Sequence, residues 1–124
     1  MSCTSRHFIS LLKVEFEDIK SDLRTMEELL VSRVGLRQIT DYVYNENTAL
    51  LEREIAGVDR LLSLLDDLSC EELDYPVEEL AVRLEARFAE EIRRRQIPEA
   101  VHPLVTRRLH KVAGFIAAEE VVER

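Results

Sequence analysis

The residues whose types could support chemistry are few, and they are scattered along the chain. Glu99 and His102 have the Glu-x-x-His spacing that di-iron carboxylate bundles use to hold metal between helices. Such a site needs a second copy of the motif on a facing helix, and the sequence has only one. Pro98 and Pro103 also flank it, so it does not lie in the middle of a helix. We therefore predict no metal site.

The histidines and cysteines do not form a catalytic pattern. Neither His7 nor His110 has a metal-binding side chain three or four residues further along the chain. Two glutamates follow Cys70, and their charges disfavour a reactive thiolate there. The three glycines stand apart from one another, so no glycine-rich phosphate loop is present. The sequence predicts that the protein is not an enzyme and uses no cofactor.

Charge is distributed unevenly along the chain, whose net charge is −8. Residues 1–91 hold 10 lysines and arginines against 21 acids, whereas residues 92–124 hold 7 against 4. The basic excess comes mainly from six residues, which we call the cationic cluster: Arg93, Arg94, Arg95, Arg107, Arg108 and Lys111.

A cationic cluster can attract an acidic protein partner or the phosphates of a nucleic acid. The chain as a whole is acidic, and no aromatic side chain lies among the arginines to stack on bases. We therefore expect an acidic protein partner ahead of nucleic acid. A third alternative is that the cluster only forms ion pairs within the protein or within a dimer.

The composition predicts an all-α protein. Charged residues make up 34% and apolar residues 46% of 124 residues, with only 3 glycines and 3 prolines, too few for a turn-rich β-fold. The length suits one domain, residues 1–124. Two cysteines are too few for a disulfide framework, and the apolar run Phe8–Leu12 is too short for a signal peptide or membrane span. We therefore expect a cytoplasmic protein without a membrane segment.

Residues 1–68 are predicted to form a long helical hairpin. Gly35 is expected to end the first helix in a left-handed C′ conformation, with Leu36 making the accompanying apolar contact. Thr40 is expected to cap the second helix, and the short turn between the two forces an antiparallel pair. Apolar residues recur at alternating spacings of three and four, which forms a heptad seam. The seam residues are Ile9, Leu12, Phe16, Ile19, Leu23, Met26 and Leu30, then Tyr44, Thr48, Leu51, Ile55, Val58, Leu62 and Leu65.

Residues 76–124 are predicted to form a second, shorter helical pair. The third helix is expected to run from Pro76 to Arg95, and the fourth to begin at Pro103. Ser69 and Glu72 have the spacing of a capping box between the two pairs. Together the segments predict an antiparallel four-helix bundle built on a long heptad helical hairpin. The inward residues are expected to be Val77, Ala81, Leu84, Phe88 and Ile92, then Val105, Leu109, Val112 and Ile116.

The first helical pair is expected to be about 40 Å long, and the second only about 30 Å long. We expect roughly two helical turns at one end of the first hairpin, next to the connection between its helices, to lack a covering helix. Curvature that lets this end pack on itself is the alternative. An uncovered end predicts a non-catalytic interaction or adaptor protein that pairs with a partner helix or, as a homodimer, with its own copy. The residues expected to supply affinity, which we call the apolar tip, are Val34, Leu36, Ile39, Tyr42 and Tyr44.

Overall fold

Four α-helices follow one another in a computed structural model that describes the backbone of residues 3–123 and the side chains of residues 4–119. They are α1 (Cys3–Gly35), α2 (Asp41–Asp66), α3 (Val77–Arg94) and α4 (Val101–Glu123). The described part of the chain contains no strand, so the predicted all-α fold is confirmed. Within that part, no helix combines the length and the apolar character that a membrane span requires.

One apolar core runs between the helices, with α1 packed mainly on α2 and α4, and α3 mainly on α4. At its centre Phe16 of α1 meets Phe88 of α3, with ring centroids 5.5 Å apart. Both rings are fully buried, as are Leu12, Leu84 and others that the apolar spacing predicts. The largest fully buried side chains are Phe8, Phe16, Phe88, Leu12, Leu61, Leu80, Leu84, Leu109, Ile116, Val58, Val101 and Val105.

The turn between α1 and α2 corrects one prediction. Gly35 is not left-handed; the left-handed residue is Arg37, with φ 59°. The amide of Gln38 donates to the carbonyl of Arg33, and that of Arg37 to Val34, which is the hydrogen-bond pattern of a Schellman motif. The motif therefore lies two residues later than predicted, with Gln38 and not Leu36 at C″. Its hydrogen bonds offset the about 1–2 kcal/mol that a side chain costs in this conformation.

Two predicted caps are present. The hydroxyl of Thr40 accepts a hydrogen bond from the amide of Val43 at 3.2 Å, which begins α2. Between α2 and α3, the amide of Ser69 donates to the carboxylate of Glu72 at 3.0 Å, while the amide of Glu72 donates to the Ser69 hydroxyl at 3.2 Å. This reciprocal capping box holds a single turn in the connection.

The connection between α3 and α4 also forms a Schellman motif. Gln96 is left-handed with φ 54°, and the amide of Ile97 donates to the carbonyl of Ile92. This turn directs the side chain of Ile97 into the core, where it is 9% exposed. Helix α4 begins at Val101, two residues before the predicted start at Pro103. Pro103 is tolerated because a proline in the first helical turn lacks only an amide that would have no partner there.

The connection passes close to α2 at Gly57. A Cβ atom at Gly57 would overlap the Cγ2 atom of Ile97, so only glycine leaves room for this side chain. Gly57 is itself buried, in the middle of α2. The close approach packs the α3–α4 connection against α2 at this point.

Gly57→Ala is expected to destabilise the protein by about 1 kcal/mol, because overpacking costs about 1–3 kcal/mol and the better helix propensity of alanine returns part of it. Gly114→Ala is the matched control. No atom lies within 4 Å of a Cβ placed there, so the same substitution in α4 should stabilise by up to about 1 kcal/mol. Urea unfolding of both variants measures the difference; equal effects at the two sites would contradict the close approach.

Candidate functional site

The first candidate site is the end of the α1–α2 hairpin, residues 24–50, which we call the protruding segment. No residue in it is buried, whereas Leu23 and Leu51 on either side are 4% and 6% exposed. Along α1 it extends for about 18 Å, or three turns. Its exposed large apolar side chains are Met26, Leu29, Val31, Leu36, Tyr42, Val43 and Leu50, with exposed fractions from 38% to 73%.

The five residues of the apolar tip all lie at the far end of the protruding segment. Leu36 and Tyr42 are the most exposed, at 67% and 73%. Val34, Ile39 and Tyr44 are half-buried. The residues that the comparison of helix lengths predicts thus lie around the turn between α1 and α2. The predicted set omitted Val43, which lies between Tyr42 and Tyr44, and Met26 and Leu50, which lie nearer to the body of the bundle.

The cationic cluster is divided between two acidic sites of the same chain. At the end of α3, Glu91 binds three arginines: Arg95 Nε lies 3.0 Å and Arg60 Nε 3.1 Å from Oε1, and Arg94 Nη2 lies 3.6 Å from Oε2. Arg60 comes from α2, so this carboxylate also joins α3 to α2. Two members of the cluster, Arg94 and Arg95, therefore already hold a carboxylate of their own chain.

On α4, Arg108 and Lys111 bind carboxylates of α1. Arg108 Nη1 lies 2.8 Å from Asp18 and 3.3 Å from Glu15, and its Nη2 lies 3.4 Å from Asp22. Lys111 Nζ lies 2.5 Å from the other Glu15 oxygen. The hydrogen bond to Asp18 and the three nearby charges raise the pKa of Arg108, although partial burial opposes them. These contacts fasten α4 to α1.

The remaining two members, Arg93 and Arg107, are exposed and form no ion pair with any described side chain. The sequence leaves open whether these six cations bind a partner or only form ion pairs, and four of them neutralise carboxylates within the fold. A partner-binding role for the cluster stays a prediction, and it depends on Arg93 and Arg107.

Two buried glutamates were not identified from the sequence as a site, and their pKa values shift in opposite directions. Desolvation alone would raise the pKa of Glu91, but hydrogen bonds from Arg60 and Arg95 and the charges of Arg94 and Arg95 outweigh it, so its pKa lies below the ordinary value. Glu54 of α2 is 7% exposed and has no ion-pair partner among the described residues. Burial raises its pKa.

The two shifts predict opposite effects of Glu→Gln substitution at pH 7. Glu91 stabilises the fold above its ordinary pKa of 4.5, and this contribution is lost as pH falls through its lowered folded value. For Glu54, ionisation costs folding free energy as pH rises from 4.5 through its raised folded value. Glu91→Gln should therefore lower, and Glu54→Gln raise, the free energy of unfolding at pH 7, with both differences shrinking toward pH 3. Thermal unfolding at pH 7 and pH 3 measures this; the same sign for both variants at pH 7 contradicts it.

Of the residues considered for chemistry, Glu99 and His102 line a shallow pocket together with Arg93 of the cationic cluster. Glu99 is exposed and His102 half-buried in the α3–α4 connection and the start of α4. The described residues contain no group of three or more histidine, cysteine, aspartate or glutamate side chains placed to hold a metal ion. Cys70 is a free, exposed thiol in the connection between α2 and α3.

No protein-family model matches this chain, and searches of curated proteins and of solved structures found no match either.

Proposed function

We propose that the protein is a non-catalytic cytoplasmic interaction module that docks on another protein through its protruding segment. The observation that carries the proposal is the absence of any buried residue from 24 to 50, together with the large exposed side chains there. An ordinary monomer seldom leaves so many large apolar side chains together in water, and such patches usually bind a partner.

The proposal includes a bundle whose helices alternate in direction, with the hairpin longer than the pair that covers it. Between α1 and α2, Lys13 Nζ lies 2.6 Å from Asp66 and Lys20 Nζ lies 2.5 Å from Asp59. A later residue of α1 thus meets an earlier residue of α2. This order supports opposite directions for the two helices.

The ion pairs between α1 and α4 have the same order. His7 of α1 lies 3.5 Å from Glu119, and Asp18 lies 2.8 Å from Arg108. Helix α4 would therefore begin beside the C-terminal half of α1 and run back toward the N-terminus of α1. We call the boundary of the protruding segment at Leu23 and Leu51 its foot. In this arrangement the α3–α4 connection would lie near the foot, because Ile97 meets Gly57, six residues along α2 from Leu51.

The protruding segment would bind by apolar and aromatic contacts, since large side chains that lose water at the centre of an interface supply most of its affinity. The free cations Arg93 and Arg107 lie on the body near its foot. Their contribution would be electrostatic steering toward an acidic partner. Nucleic acid is the competing ligand for these cations, and its binding would fall steeply with salt.

The experiment is capture of partners from a nuclease-treated extract of the cells that make the protein. Leu36→Asp changes the protruding segment, and Val82→Asp on α3 is the matched control, because both side chains are 67% exposed. A third variant combines Arg93→Glu with Arg107→Glu. We expect a protein that binds wild type and the Val82 variant but not the Leu36 variant.

Other results would reassign the function. Loss of the partner only with the Arg93 and Arg107 variant would make the cations the docking site. Nucleic acid recovered when nuclease is omitted, and lost with that variant, would support the competing function. Full retention of every partner by Leu36→Asp and by a Leu36→Asp, Tyr42→Asp double variant would contradict the proposal.

A further inference from the structure

We infer that the surface of the protruding segment pairs with the protruding segment of a second copy of this chain, related by a two-fold axis. The inference rests on the proposed function and names its partner. In the resulting dimer, the protruding segments of two hairpins form an intermolecular four-helix segment. It begins beyond the connection at which α3 ends and α4 begins.

The first argument is the continuity of one face of the hairpin. On α1, Met26 and Leu30 follow the buried Leu23 by three and seven residues, so they extend the same helical face. On α2, Leu50 precedes the buried Glu54 by four residues, and Val43 precedes Leu50 by seven. We call these four apolar residues the inner face.

Below the foot, this face of the hairpin is covered by α3 and α4, which pack on α1 and α2. Above the foot, Met26, Val43 and Leu50 are 52%, 38% and 41% exposed. The missing cover is therefore a pair of helices, about 15–18 Å long, with an apolar face. The protruding segment has this length and character, so a second copy supplies what the first one lacks.

The second argument is area. A whole large side chain presents about 150–200 Å², so the seven exposed apolar side chains of the protruding segment amount to roughly 600–700 Å². A stable interface of standard size buries about 800 Å² per partner, of which a little more than half is apolar. The exposed side chains that the proposed interface covers, those of the inner face and Leu36, supply roughly 300–400 Å² of this area. That is most of the apolar area that one side of such an interface needs.

The third argument is charge. Two copies that each carry −8 repel one another unless they meet where the charge is low. Residues 24–50 hold three arginines (Arg24, Arg33 and Arg37) against four acids (Glu27, Glu28, Asp41 and Glu46), a net of −1, which leaves −7 for the rest of the chain. None of these seven side chains forms an ion pair with another described residue. They are free to form the polar rim of an interface.

A two-fold axis across the middle of the inner face gives the segments their largest overlap. The turn of one copy then reaches the foot of the other. There, Ala56, Ile97 and Pro98 line a shallow groove together with three arginines. Arg60 and Arg95 are paired with Glu91, whereas Arg53 has no ion pair within the described chain. Leu36 of the arriving turn would fill this groove, and Asp41 would lie opposite Arg53.

The test is sedimentation velocity from 1 to 200 μM protein, with circular dichroism to verify folding. Wild type should form dimers within this range. Leu50→Glu should raise the dimer Kd about 100-fold, because each dimer contains the substitution twice and each copy contributes about tenfold. Val82→Glu, an equally drastic change on α3 outside the interface, should leave the Kd unchanged.

A charge exchange tests the orientation of the two copies. Asp41→Arg and Arg53→Asp should each weaken the dimer, and the combined variant should recover most of the lost affinity. Failure of the combined variant to recover, with all variants folded, would overturn the two-fold overlap.

A wild-type protein that stays monomeric at 200 μM, or a Leu50→Glu variant that dimerises as wild type does, would overturn the inference. These results are distinguishable from failure of the proposed function. If wild type is monomeric and Leu36→Asp still abolishes capture of a partner, the docking role stands and the partner is a different protein. If wild type is monomeric and Leu36→Asp retains every partner, both the docking role and the dimer are wrong.

Discussion

Replacing Phe88 by alanine should lower the free energy of unfolding by about 3–5 kcal/mol, the range for removing a fully buried aromatic side chain. Phe88 is 0% exposed, and its ring meets Phe16 of α1 with centroids 5.5 Å apart. The substitution removes both the buried ring and this contact, and the surrounding helices can close the cavity only in part. Urea unfolding followed by circular dichroism measures the loss.

Phe115→Ala is the matched control for this prediction. Phe115 lies on α4 but is 54% exposed, so its removal should change the free energy of unfolding by less than about 1 kcal/mol. Similar losses at the two positions would contradict the packing described for α3 and α4. A Phe88 variant that no longer folds would agree with the upper end of the range, and Phe88→Leu would then bring the effect into a measurable interval.

Arg108→Gln should destabilise the protein by about 1.5–2 kcal/mol, the lower part of the range for hydrogen bonds to charged groups. The side chain is 21% exposed and contacts Glu15, Asp18 and Asp22. Without the guanidinium, the three carboxylates repel one another at the boundary between α1 and α4, and Lys111 neutralises only Glu15. Thermal unfolding at low and high salt measures the effect, which salt should reduce.

Arg107→Gln is the control, because Arg107 precedes it on the same helix, is exposed and has no ion pair among the described residues. Its removal should stay within about 0.5 kcal/mol of wild type. If the two substitutions had the same effect, the ion pairs of Arg108 would not hold α4 on α1, and all the cations of α4 would be available to a partner.

Much of the fold could be predicted because apolar spacing determines which helix faces are buried. Leu12, Phe88 and Leu109 each belong to a series of apolar residues spaced three or four apart within one helix, and each is fully buried. The exposure of the protruding segment follows from comparing helix lengths. Both inferences use only local periodicity and the rise of a helix, which the sequence contains in full.

Helix ends were predicted less well, because they depend on which backbone hydrogen bonds close. The amide of Leu36 still reaches the carbonyl of Ser32, so α1 continues through Gly35 and the left-handed residue becomes Arg37. A glycine indicates where a left-handed residue costs little conformational free energy, but the hydrogen bonds of the Schellman motif decide where the turn forms. The start of α4 at Val101 has a similar origin.

The cationic cluster illustrates a second limit of the sequence. Adjacent arginines indicate a basic surface, but the carboxylates that neutralise them come from other helices, such as Asp18 for Arg108. Glu54 could have been noticed, since it lies four residues before Val58 on the buried face of α2. Gly57 could not, because its role depends on how closely Ile97 approaches in the folded chain.

Amide hydrogen exchange at two protein concentrations tests most directly whether the protruding segment is a docking surface. At 1 μM, residues 24–50 should exchange much faster than the core of α1 and α2, because no covering helix protects them. At 200 μM their exchange should slow, as should exchange around Ala56 and Ile97 in the groove, while the rest of the chain stays unchanged. Exchange in this segment that is as slow as in the core at 1 μM, and independent of concentration, would contradict the account.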